Sequence, residues 1–156
     1  MTEAEFIELY NKQAEALLRY CALRLASHHD AEDVTAEVFA RLLAEPDRVS
    51  AEKRVRWLFS AARNLCTDFQ RGISRRSEAH CAESDGSDAS SWTDERVGRI
   101  VRSMPRDRQE VVFLRLFQDL PFAQVARIVG RRETAVRVQY YRALKRLRKL
   151  LKEVGT

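Results

Sequence analysis

Apolar side chains recur at steps of three and four from Phe6 to Phe69 and again from Val97 to Leu151, and nowhere in between. That spacing follows the 3.6-residue turn of an α-helix and not the alternation of a strand. Only five glycines and three prolines interrupt 156 residues, and most of the remainder are good helix formers. The gap, SRRSEAHCAESDGSDASSWTDE (74–95), has no apolar rhythm and is dense in Ser, Asp and Glu. Such a composition reads as a flexible linker. The chain is therefore expected to be all-α: two small helical bundles, 1–73 and 96–156, joined by a tether.

Within the first bundle, Phe6, Leu9/Tyr10, Ala14, Leu17, Cys21 and Leu25 define one amphipathic helix, ended by His28 and His29. Asp30 suits an N-cap for the second, with Glu32 and Asp33 in its first turn and Val34, Val38 and Leu42 as the buried stripe. A third helix is expected from about Glu52, burying Leu58, Ala62, Leu65 and Phe69 and leaving Trp57, Ala61, Asn64, Asp68 and Arg71 on its other side. In the second bundle, Val97, Ile100 and Val101 start a helix that stops before Pro105. Val111, Leu114 and Phe117 mark another, and Phe122, Val125, Ile128 and Val129 a short one. Val136, Tyr140, Leu144, Leu147 and Leu151 mark a long last helix.

Charge is segregated along the chain. Residues 1–50 hold ten acids against five bases, 51–80 seven bases against three acids, 81–95 five acids and no base, and 96–156 sixteen bases against five acids. Basic blocks of this strength point to a polyanion, and nucleic acid fits best; the acidic front needs a different partner. No apolar run approaches the ~20 residues of a membrane helix, and MTEAEFIELY is acidic where a secretory signal is basic, so a cytoplasmic protein without membrane insertion is expected. Cys21 and Cys66 fall in helical patterns as small hydrophobes, which argues against a disulfide framework. Cys81 beside His80 in the linker leaves a redox role open. The chain has no phosphate-cradling glycine loop, no HExxH and no paired-cysteine motif, so neither an enzyme, nor a metal, nor a cofactor is expected.

The stretch GRRETAVRVQYYRALKRLRK (130–149) sets six arginines and two lysines against one acid, Glu133. A solvated helix mixes both signs so that neighbours four apart attract; here the negative charge must come from outside. The segment has the form of a helix-turn-helix: a short helix from Pro121, a break at Gly130 and a long helix from about Glu133. Opposite its apolar stripe, Arg137, Tyr141, Lys145, Arg148 and Lys152 form a continuous cationic face. In such a motif the first turns of the second helix enter the major groove, which nominates Arg131, Arg132, Glu133, Thr134, Arg137, Val138 and Tyr141 for base contact. Arg142, Lys145 and the later bases lie further along, at phosphates or in solvent. A merely solvated basic helix would give the short helix and its glycine break no role.

Here the residues resemble a family. SMPRDRQEVVFLRLFQDLPFAQVARIVGRRETAVRVQYYRALKRLRKLL is similar to the promoter-binding carboxy-terminal domain of extracytoplasmic-function sigma factors of the sigma-70 family. HHDAEDVTAEVFARLL and WLFSAARNLCTDFQRG look like that family's other domain, in the right order. The resemblance implies core RNA polymerase as partner, through the clamp helices of the largest subunit and the flap, with promoter DNA and an anti-sigma factor as further partners.

It also implies that the segment around Asp30, Glu32, Asp33, Glu37 and Arg41 docks on polymerase. The acids alone would complement a basic surface, or simply cap a helix. The third helix is expected to take bases of a melted −10 element. Asn64 is the leading base reader, because Asn pairs with base edges, and Lys53, Arg54, Arg56, Arg63 and Arg71 would neutralise phosphate. Trp57 is either a stacking platform or core. Asp68, an acid on a basic face, is expected to orient Arg71 or Asn64. The 22-residue linker reaches at most ~75 Å, enough to place two readers one to two DNA turns apart, at ~35 Å each. The chain departs from the family pattern at Ala36, Gln124, Ala135 and Gln139, which bears on how the last helix is capped and aimed. A stand-alone helix-turn-helix regulator that never meets polymerase is the competing reading.

Overall fold

A computed structural model describes residues 1–76 and 95–154. The chain divides into two compact units whose regular elements, among the described residues, are all helices. The proposed role of Cys81, and the tether apart from its two ends, lie outside them.

The first unit holds α1 (Glu3–Arg24), α2 (His28–Ala44), a 3-10 turn (Ala51–Lys53) and α3 (Arg54–Arg76). Thr2 and Glu5 start α1 with a reciprocal capping box: the Glu5 N–H donates to the Thr2 hydroxyl at 3.2 Å and the Thr2 N–H to the Glu5 carboxylate at 2.8 Å, satisfying two otherwise orphaned donors. α1 ends at Arg24, earlier than the sequence suggested. α2 is capped by Ser27, not Asp30: the Ser27 hydroxyl accepts from the Asp30 N–H at 3.3 Å. Asp30 therefore sits inside the first turn, where its charge favours the helix but its side chain is not the cap.

Leu17, Tyr20 and Cys21 of α1, Val38 and Leu42 of α2, and Leu58, Phe59, Ala62 and Cys66 of α3 make the core. Tyr20 meets Phe59 edge-to-face at 5.5 Å, a favoured ring geometry. The buried stripe of α3 thus runs through Phe59 and Cys66, whereas Leu65 and Phe69 are only half-buried. α3 packs on both α1 and α2, and Cys66 is fully buried. Cys21 and Cys66 are free and buried; hydrogen bonding with Cys66 holds the Cys21 thiol below its usual range, against the opposing effect of burial. The end of α1 is tied to α3 by Arg24, whose Nη2 donates to the Thr67 hydroxyl at 3.1 Å while the Gln70 amide donates to the Arg24 carbonyl.

The second unit holds α4 (Glu95–Ser103), α5 (Arg106–Val112), α6 (Phe122–Val129) and α7 (Glu133–Val154). α3 and α4 each run slightly into the segment read as linker. α5 continues into a π-helical turn, Phe113–Phe117, closed by the Gln118 N–H on the Phe113 carbonyl at 3.1 Å. The chain then reverses through Asp119, at φ +54, a left-handed position that a short polar side chain tolerates. Val101, Val112, Leu114, Val125, Ile128, Val136, Ala143 and Leu147 are among its buried side chains. Leu144 and Leu151, expected in the stripe of α7, are half-buried.

Candidate nucleic-acid and protein interfaces

α6 and α7 form the helix-turn-helix. Pro121 is the N-cap of α6, one step outside the helix and extended at ψ 149, not in its first turn. Gly130 ends α6 at φ +71, and its N–H and that of Arg131 both close on the Ala126 carbonyl, at 2.9 and 3.1 Å. Only glycine takes this left-handed conformation without strain, so Gly130 sets the direction in which α7 departs.

Arg131, Arg132, Glu133, Thr134, Arg137, Val138, Tyr141, Arg142 and Lys145 are all exposed. Val138 and Tyr141 keep about half of their surface in solvent, at 49% and 58%. Six of the nine line one of two grooves along α7. Arg131, Thr134, Val138 and Arg142 line a shallow groove with Arg108 of α5 and the departure residues Ala135 and Gln139. Tyr141, Lys145, Arg148 and Lys152 line another.

Two arginines are engaged within the protein. Arg131 Nη2 pairs with Asp107 at 2.6 Å and its Nη1 donates to Gln139 at 3.4 Å. Arg137 pairs with Glu133 at 2.7 Å and lies over the Phe122 ring, 4.8 Å from its centre. Arg108 and Phe122 were not legible as site residues, because both arrive from other helices.

In the first unit, α2 and α3 build two grooves. One is lined by Arg41, Glu45, Arg48, Trp57, Ser60 and Asn64, among others. Trp57 is half-buried on this open groove beside Asn64, the setting of a stacking wall more than of a core residue. Arg41 lines this groove too, its Nε on Glu37 at 3.0 Å, so a residue expected to face polymerase shares a groove with Asn64. Glu45 and Arg48, a 2.9 Å ion pair, were missed by sequence reasoning because they belong to the turn after α2.

The second groove has acidic walls, Asp33 and Glu37 from α2 and Asp68 from α3, over an apolar floor of Val34, Leu65, Phe69 and Gly72. Asp68 therefore belongs with the acids of α2. Among the described residues it bonds neither Asn64 nor Arg71, which corrects the orienting role expected of it. Asp30 is half-buried, and Glu32 and Asp33 carry imidazole partners, His28 at 3.0 Å and His29 at 3.7 Å.

The cations around Asn64 are not equivalent. Lys53 and Arg71 are exposed, and Arg54, Arg56 and Arg63 are half-buried. Arg54 acts on Glu5 and Asp47. The Thr2 N–H, helped by Arg54, holds the Glu5 carboxyl below its ordinary value, and the Met1 ammonium at 2.7 Å, again helped by Arg54, does so for Asp47.

No helix among the described residues is long and apolar enough to cross a membrane. The family described as Sigma-70 region 2 matches residues 9–76, and Sigma-70, region 4 matches 94–147. The chain is 30% identical to the ECF RNA polymerase sigma factor BldN of Streptomyces coelicolor over 94% of its own length, spanning 60% of that relative. It is 28% identical to the ECF RNA polymerase sigma factor SigL of Mycobacterium tuberculosis, over 94% of this chain and 89% of that one. The fold is similar to that of the sigma factor RpoE of Bartonella quintana, solved in complex with the anti-sigma factor NepR. The TM-score is 0.72 at 21% identity, over 94% of this chain and 96% of that one. Both units fall to regions of one family, in that family's order, and the chain belongs to the extracytoplasmic-function sigma factors of the sigma-70 family.

Proposed function

We propose that the chain is an alternative sigma factor: it binds core RNA polymerase in the cytoplasm and directs initiation at particular promoters, leaving the chemistry to the polymerase. Its first unit takes a base of the melted −10 element in the groove of Asn64 and Trp57. Its second unit reads the −35 duplex with the first turns of α7. The observation that carries this reading is the pairing, in one chain, of an amide beside an aromatic wall with a separate helix-turn-helix that exposes Arg137, Val138 and Tyr141. An amide and an indole suit an unstacked base; a two-donor arginine on a groove-sized helix suits a duplex. Joining the two by a tether makes the second contact intramolecular, so that two weak readers act as one.

Polymerase docking falls to the acidic groove between α2 and α3. Asp33, Glu37 and Asp68 over Leu65 and Phe69 complement a basic, apolar-anchored helix such as a clamp helix offers. An anti-sigma factor is a proposed further partner, since the RpoE relative is held by one.

Run-off transcription with purified core polymerase on a library of genomic fragments tests the proposal. The expected result is transcription from a defined subset of fragments only when this chain is added. A chain that binds duplex DNA alone, and neither co-purifies with core enzyme nor yields transcripts, is a stand-alone regulator, and the proposal fails.

A further inference from the structure

We infer that Phe122 is a positioning residue, which acts with Glu133 to hold Arg137 so that a single edge of its guanidinium is offered to DNA. This rests on the assignment of Arg137 to the −35 duplex made above.

The geometry accounts for each side of the guanidinium. Its Cζ lies over the Phe122 ring, 4.8 Å from the ring centre. Its inner side is occupied by one carboxylate oxygen: Glu133 Oε1 accepts from Nη2 at 2.7 Å and from Nε at 3.3 Å. Nη1 has no partner among the described residues, and half of the side chain is exposed. What remains free is the outer edge between Nη1 and Nη2. That edge carries two parallel N–H donors, which match the N7 and O6 acceptors of guanine in the major groove.

Phe122 is itself fixed. Tyr140, largely buried, packs edge-to-face against it at 5.4 Å, and Tyr141 lies 6.1 Å away. A second cation, Arg115, lies over the same ring at 4.8 Å, anchored to Asp119 at 3.3 Å and to the Leu120 carbonyl. The ring therefore sits where two elements converge on the start of α6. Glu133 alone would be a poor clamp, because an exposed pair four residues apart is weak and screened by salt. The attraction of a guanidinium to a ring face, combined with contact area, persists at ionic strengths that dissolve such a pair.

The test uses holoenzyme assembled from core polymerase and the full chain, with promoter fragments carrying each base pair in turn at every −35 position. Arg137→Ala should lower promoter binding about tenfold and erase the preference at one base pair. Phe122→Leu, which keeps an apolar side chain but removes the ring, should lose most of that preference at the same pair and at no other. Phe122→Tyr should retain it, and the double variant should bind no worse than Arg137→Ala alone. An unaltered preference in Phe122→Leu, or a uniform loss at all positions with a lowered Tm, overturns the inference while the assignment of Arg137 stands. An unaltered preference in Arg137→Ala overturns the assignment itself.

Discussion

Asn64 and Arg137 are both exposed polar side chains proposed as base readers, yet the fold treats them oppositely. Arg137 lies over a ring face and is paired with a carboxylate before any DNA arrives. Asn64 has no hydrogen-bond partner among the described residues and opens on a groove. The contrast follows the state of the DNA each would meet. Base edges in a duplex are held at fixed spacing, so a donor pair aimed in advance loses little freedom on binding. A melted base brings its own orientation, and a groove with an aromatic wall and an uncommitted amide accommodates it. Rigidity is placed in the unit whose ligand is rigid.

The contrast breaks most clearly at Asn64. Asn64→Ala should remove ~1–3 kcal/mol of base discrimination, reducing run-off transcription tenfold or more while leaving upstream duplex protection in the footprint intact. Loss of upstream protection together with opening would show that the two readers are not separable. Trp57→Ala should reduce opening by a similar or smaller amount, as base–aromatic stacking is worth ~1–3 kcal/mol per base; Trp57→Phe should recover most of it.

A second effect comes from the hinge of the duplex reader. Gly130 lies at φ +71, and a Cβ there would meet nothing within 4 Å. The cost of Gly130→Ala is therefore backbone strain without a clash, about 1–2 kcal/mol. Thermal unfolding of the full chain should show the loss confined to one of two transitions. Gly130→Asn should cost less, because asparagine tolerates the left-handed region. Equal costs for Ala and Asn would mean that something other than φ governs the turn.

What the sequence made legible divides along the same physical line. Periodicity located all seven α-helices of the described residues, since each has a core to face. It misplaced the stripe of α3, because Leu65 and Phe69 are greasier than Cys66 and hydrophobicity says nothing about room. It set Asp30 at the cap of α2, where Ser27 three residues earlier has equal chemistry. Asn64, Trp57 and the exposed set on α7 were legible because a helical face can be read off spacing. The Phe122–Arg137 stack and the Arg131–Asp107 pair were not, since each joins separate helices. Asp68 and Arg41 each proved to line the groove opposite to the one expected, a difference of a fraction of a turn on the helix that carries it.

A smaller effect should come from freeing Arg131. Its exposed pair with Asp107 contributes little to stability, at most about 1 kcal/mol, but keeps one cation from phosphate. Asp107→Ala should leave the Tm nearly unchanged and steepen the salt dependence of promoter binding by about 0.9 in log–log slope, one extra counterion released. An unchanged slope would show that Arg131 reaches phosphate without leaving Asp107, or never reaches it.

The smallest effect separates the units by pH. Glu5, in the capping box of α1, and Asp47 both have carboxyls held below their ordinary values in the fold, from 4.5 and 3.8 respectively. Groups of this kind bind protons more readily once unfolded, so their stabilisation is complete above the unfolded values and is lost as pH falls through the folded ones. The first unit should therefore lose stability below about pH 4.5, by a small amount because both groups are exposed. Glu5→Gln keeps an acceptor for the Thr2 N–H and removes the charge, so the variant should start slightly less stable at pH 7 and fall less between pH 5 and pH 3. The comparison is made by following the two units as separate unfolding transitions. An acid response of equal size in wild type and Glu5→Gln would move the origin of the effect to Asp47, paired with the Met1 ammonium.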